Sequence, residues 1–169
     1  MQDIVSLMAL AVSILALALS GAIAIRQVGL ARGANQRSGV VELTKELRSQ
    51  SFLDRERYVN TVLGKEYPSG VAQTELPALA GDNVQVVASL FNSVGILVAF
   101  DGALDRRIAV SVFGYRAERA WRSLEPFIKA ERQRRQGDYM PCFEHFVAVV
   151  RETSSEQASI ALKLKRLPA

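Results

Sequence analysis

The chain has 169 residues, 49% of them hydrophobic, and its 21 Lys and Arg against 17 Asp and Glu give a formal charge of +4. That length leaves one ordinary hydrophobic core beside a single long apolar segment, and the lone Cys142 excludes an intramolecular disulfide framework. The mild basic excess favours anionic partners weakly, lipid headgroups before nucleic acid, and the aromatic residues are not interleaved with the basic ones as a single-strand stacking platform would require.

Ile4 to Ile25, IVSLMALAVSILALALSGAIAI, holds no charged residue. As a helix it spans about 33 Å at about 1.5 Å per residue, enough to cross a hydrocarbon core of about 30 Å. A secretory signal carries a basic region ahead of a shorter apolar stretch; here Asp3 stands in that place, although Ala22-Ile23-Ala24 imitates a cleavage site. The expectation is a retained transmembrane anchor over residues 1–25. Arg26, Arg32 and Arg37 follow it closely and are placed to meet lipid headgroups. By the positive-inside rule they put the carboxyl side in the cytoplasm and the amino terminus outside, which makes a single-pass protein of the inner or plasma membrane.

Within the anchor, Ser6, Ser13 and Ser20 recur every seven residues, with Ala9 and Ala16 three residues after the first two. Seven residues make nearly two turns, so these small positions form one stripe. Helices associate in lipid through small residues and hydroxyls that bond across, which points to self-association through Ser6, Ala9, Ser13, Ala16 and Ser20. The other reading is that the serines bond their own backbone a turn earlier.

Residues 26–39, RQVGLARGANQRSG, form a polar juxtamembrane stalk with glycines at 29, 33 and 39. A helical domain over 40–153 follows. Val40, Leu43, Thr44 and Leu47 share one helical face, predicting a helix to about Arg48; Ser51 with Asp54 resembles a capping box for a second helix that Gly64 closes. Tyr67-Pro68-Ser69-Gly70 and Leu76-Pro77 bracket a loop. Gly81-Asp82-Asn83 offers a cap before Val84–Phe100, apolar almost all round and read as a buried core helix, because its length, Gln85 and Asn92 oppose a second crossing. The next helix runs from about Leu104 to Phe113 with Gly114 as its stop, and a long polar helix follows from about Tyr115 to Gln136, ending at Gly137. Along it Glu118–Arg122, Glu125–Lys129 and Glu131–Arg135 are favourable i,i+4 pairs that mark a solvated face, Trp121, Leu124 and Ile128 make a buried stripe, and Pro126 predicts a kink. A last helix starts near Pro141 and turns Phe143, Phe146, Val147 and Val150 inward. Residues 154–169 are a basic C-terminal tail.

The stretches RQVGLARGANQ, SQSFLDRERYV, VASLFNSVGILVAFDGALDRRIAVSVFG, WRSLEPFIKAERQ and CFEHFVAVV resemble an uncharacterised bacterial family, domain of unknown function 4760, from Arg26 to about Val150. The likeness lies in apolar pattern and spacing. It implies an anchored helical domain and no established activity.

Chemistry-bearing residues are few. Cys142, Glu144 and His145 lie within one helical turn, but a metal site needs about four ligands and a cysteine beside Phe146 and Val149 is ordinarily a small core residue. Arg132, Arg134 and Arg135, with Lys163, Lys165 and Arg166 in the tail, offer either a lipid-facing surface or a plain solvated one. The expectation is therefore an all-α protein: a single N-terminal transmembrane helix followed by a cytoplasmic helical bundle. It carries no catalytic residues, metal or cofactor, and it acts by binding as an oligomerising scaffold or a regulatory subunit of a membrane complex, with homo-oligomers or membrane proteins and not nucleic acid as partners. A membrane-associated effector in cell defence, or an enzyme with an unrecognised site, is the alternative.

Overall fold

The computed structural model describes residues 39–100 and 104–153, with the isolated positions Ser20 and Gln27. The chain divides between Gly39 and Val40, and the architecture below belongs to the second part. Every regular element among the described residues is helical. Helix α1 covers 39–47. Helix α2, Gln50–Tyr58, continues through a π-turn at Val59–Leu63 and a last α-turn at Gly64–Glu66. A 3₁₀ turn at Gln73–Glu75 leads into α3, Ala78–Ala99; α4 is Arg106–Arg135 and α5 is Pro141–Glu152.

Helix α3 is the centre of the bundle. At 22 residues it is longer than the stretch Val84–Phe100 read from the sequence, so length and composition do not oppose a crossing as expected there; its inward positions Val84, Val87, Ala88, Phe91 and Val94 are fully buried against α2, α4 and α5. One chain of aromatic rings ties the four helices together. Phe52 on α2 meets Phe91 edge-on at 6.2 Å, Phe91 stacks on Phe143 of α5 at 5.4 Å, and Trp121 of α4 closes on Phe143 edge-on at 5.1 Å. Offset and edge-to-face pairs at these separations add to the area they bury.

The apolar stripes sit where the spacing puts them: Leu47, the α4 set Trp121, Leu124 and Ile128, and the α5 set Phe143, Phe146 and Val147 are all buried. Several boundaries differ. The cap of α2 is Ser49, whose Oγ accepts from the Phe52 amide at 3.2 Å, and not Ser51. Gly64 does not close that helix; its backbone stays right-handed and the last turn runs on to Glu66. Helix α3 begins at Ala78 behind Pro77, so Gly81 is interior, where a Cβ would come within 3.2 Å of the Gln73 carbonyl.

Gly114 likewise stops nothing. One unbroken helix carries Arg106 to Arg135, and the bare Cα of Gly114 admits the two Val150 methyls, 3.3 Å from where its Cβ would stand. The reason is packing: a glycine costs about 1 kcal/mol in a helix interior, and close approach of α5 offsets that. The same helix passes through Pro126, and the left-handed residue that ends it is Gln136, φ 52°, not Gly137.

Candidate functional site

Two polar constructions stand out, and the first is a clasp. Glu131 is 0% exposed, although its i,i+4 spacing to Arg135 reads as part of a solvated face. Its carboxylate accepts from the Thr74 amide at 3.1 Å and the Thr74 hydroxyl at 2.8 Å, and from Arg134 and Arg135. This pins the 3₁₀ turn to α4. Beside it Tyr139 donates to Gln85 Oε1 at 2.7 Å and lies 3.3 Å from Gln73 Oε1, while Gln73 Nε2 donates to the Gly81 carbonyl. Burial pushes the Tyr139 phenol up to about 12, so it remains a donor at neutral pH.

Burial opposes ionisation of Glu131, and the hydrogen bonds from Arg134, Arg135 and Thr74 outweigh it, holding the carboxyl at about 2 against an ordinary 4.5. A depressed folded-state value contributes stability that is present above pH 4.5 and lost as pH falls toward 2. With both guanidiniums nearly half exposed, the acid-labile part is about 1 to 2 kcal/mol. Glu131→Gln should therefore flatten the fall in melting temperature between pH 5 and pH 2; an unaltered acid limb would show that the carboxylate is not held this way.

The second construction is a groove along the α2–α4 seam. Its upper part, about 490 Å³, lies between Leu53, Glu56, Arg57, Asn60 and Thr61 of α2 and Tyr115, Arg116 and Arg119 of α4. Its lower part, about 270 Å³, shares Asn60 and Thr61 and adds Lys65, Ser69, Arg122, Ser123 and Pro126. The two adjoin at Asn60 and Thr61. Both walls are irregular at the same level: the π-turn Val59–Leu63 on α2 faces Pro126 on α4. Proline brings no N–H for the carbonyl four residues earlier, that of Arg122, and π-turns recur at functional sites. Ser123 donates to Asn60 Oδ1 across the seam at 3.3 Å.

The groove is basic. Arg57, Arg116, Arg119, Lys65 and Arg122 line it against one carboxylate, Glu56. Glu56 and Arg116 occupy each other: Arg116 grips the carboxylate with Nε and Nη2, donates from Nη1 to the Leu47 carbonyl at 3.0 Å and lies over the Phe52 ring, which leaves Arg57, Lys65, Arg119 and Arg122 as the cations that can face an occupant. Arg57 and Arg122 form exposed pairs with Asp54 at 3.3 Å and Glu118 at 2.9 Å, which are worth at most about 1 kcal/mol each and exchange readily. Among the described residues no ion pair engages Arg119 or Lys65. Tyr115 stands at the rim, 78% exposed.

The residues singled out from the sequence are distributed otherwise. Ser6, Ala9, Ser13, Ala16, Arg26, Arg32 and Arg37 lie outside the described residues, as do Lys163, Lys165 and Arg166; Ser20 is helical and exposed. Arg132 donates to the Tyr139 carbonyl at 2.8 Å and to Glu144, and Arg134 and Arg135 serve Glu131, so these three are occupied within the fold. Cys142 is half-buried with its carbonyl against Gly95, and His145 is exposed. No group of three or more His, Cys, Asp or Glu among the described residues could hold a metal ion. The groove escaped sequence reading because Arg57 and Lys65 are far from Arg116, Arg119 and Arg122 in the chain. The visible signal was the three arginines at i, i+3 and i+6.

No curated protein matches the chain, and no solved structure does. Over residues 4–153, which take in the bundle and its α2–α4 groove, the sequence matches the family described as Domain of unknown function (DUF4760), and the chain belongs to that family.

Proposed function

We propose that this is a non-enzymatic interaction protein held at a membrane by residues 4–25, whose helical domain lies on the cytoplasmic side and captures a partner in the α2–α4 groove. The observation that carries the reading is the groove itself: two adjoining depressions whose walls carry Arg57, Lys65, Arg119 and Arg122 beyond the closed Arg116–Glu56 pair. The charge-free length of residues 4–25 and the arginines that follow support the anchoring and its orientation. Small residues and hydroxyls at Ser6, Ala9, Ser13, Ala16 and Ser20 support association between copies in the membrane, which makes the protein a scaffold or a regulatory subunit of a membrane complex.

The test is site-specific photocrosslinking in intact cells, with the photoreactive residue at Tyr115 or, as the comparison, at the exposed Lys129, and a reporter fused after Ala169. The expected result is a carbonate-resistant membrane protein with a cytoplasmic reporter, a discrete crosslinked partner from position 115 and none from 129. Leucine at Ser6, Ser13 and Ser20 lowers crosslinking between copies. A reporter on the outer face, or equal labelling from 115 and 129, overturns the reading.

A further inference from the structure

We infer that the groove's occupant is an extended acidic peptide segment of a partner protein. This rests on the binding role just proposed and adds the chemistry of what is bound. The cations come from successive turns of two helices. From Tyr115 to Pro126 the α4 wall runs about 17 Å at about 1.5 Å per residue, with Arg119 and Arg122 one turn apart on it, beyond the Arg116–Glu56 pair, and Arg57 and Lys65 on the opposite wall. A lone phosphate is held by guanidiniums that meet around it; charges spread over a line match a linear polyanion. An extended peptide rises about 3.3 Å per residue, so about five residues fill the groove, with alternate side chains toward opposite walls.

The uncharged lining separates peptide from nucleic acid. Asn60, Thr61, Ser69 and Ser123 bring amide and hydroxyl groups to the lining, and their capacity beyond the Ser123–Asn60 and Thr61–Arg57 bonds can serve peptide N–H and C=O groups. Single-stranded nucleic acid asks instead for successive aromatic faces. Here Phe127 is buried, and Tyr115 is the one exposed ring on the lining. Arg119 and Lys65, which no ion pair engages among the described residues, make the first contacts, and the incoming carboxylates displace Asp54 and Glu118 from Arg57 and Arg122.

The experiment measures fluorescence anisotropy of a labelled hexaglutamate peptide on the full chain in mild detergent, with a labelled six-nucleotide oligothymidylate in parallel. Arg119→Glu/Lys65→Glu is compared with Arg48→Glu/Arg107→Glu, which changes net charge equally at exposed positions outside the groove; far-UV circular dichroism checks that both remain helical. Hexaglutamate binding that weakens with salt and falls about tenfold or more in the groove variant, with a smaller change in the comparison, is the expected result. Equal loss in both variants, no binding, or tighter and groove-dependent binding of the oligonucleotide overturns it. The two proposals fail separately: if the crosslink from position 115 persists in the groove variant, a partner binds there but not through its acidic charge.

Discussion

Replacing Gly95 with alanine should destabilise the helical domain by about 3 kcal/mol or more, at the upper end of what overpacking costs. A Cβ built on Gly95 overlaps the carbonyl of Cys142 outright and stands 3.1 Å from the Cys142 Cβ. The obstacle is backbone at the first turn of α5, and it has no rotamer to escape into. Nor can α5 retreat as a whole, because Phe143 is stacked on Phe91 and its amide donates to Asn92 Oδ1 at 3.2 Å. In a domain of this size the loss lowers the melting temperature by about 10 °C or more. Gly64→Ala is the internal comparison. No atom lies within 4 Å of its Cβ position and its φ is −71°, so alanine there should be neutral or stabilise by up to about 1 kcal/mol through the unfolded chain. Circular dichroism melts of both variants decide it, and a Gly95→Ala protein that melts with the parent would show that α3 and α5 do not approach so closely.

The two glycines show what a single sequence tells and what it withholds. Glycine after an apolar run reads as a stop, because its backbone freedom is the local property a sequence displays. At Gly114, which reads as a stop, and at Gly95, inside the expected core helix, what the fold uses is the missing side chain, and the need for it comes from α5, some 36 to 47 residues away. Glu131 shows a related limit: its i,i+4 pair with Arg135 forms as the spacing predicts, because that is a statement about one helix, whereas its burial is imposed by Thr74, 57 residues earlier. Periodicity gave the inward stripes of α1, α4 and α5 correctly, since an apolar face is buried against whatever neighbour arrives. The family was legible because its likeness lies in apolar pattern and spacing, which the sequence displays directly. The groove demanded the pairing of α2 with α4, and no local signal encodes which two helices lie side by side.

Trp121→Ala should cost about 3 to 5 kcal/mol, the usual range for emptying a buried aromatic site. Trp121 is 2% exposed and is the chain's one tryptophan, so its fluorescence follows unfolding of the parent while far-UV circular dichroism must serve for the variant. Beyond the cavity, the substitution removes the edge-to-face contact with Phe143, a pair worth about 0.5 to 1.5 kcal/mol in its own right. Phe143 is also the link through which α4 reaches Phe91 and, beyond it, Phe52 of α2. The loss is therefore expected in the global melt and not as fraying of α4. Trp121→Phe, which keeps a ring against Phe143 and leaves a smaller void, should recover more than half of the stability. Because Phe52 carries Arg116 over its face, and Arg116 with Glu56 forms the head of the groove, loosening the aromatic chain should also weaken hexaglutamate binding in Trp121→Ala at temperatures where the domain is still folded. Binding that stays at the parent level while stability falls would show that the groove is built by α2 and α4 alone, independent of the core beneath it.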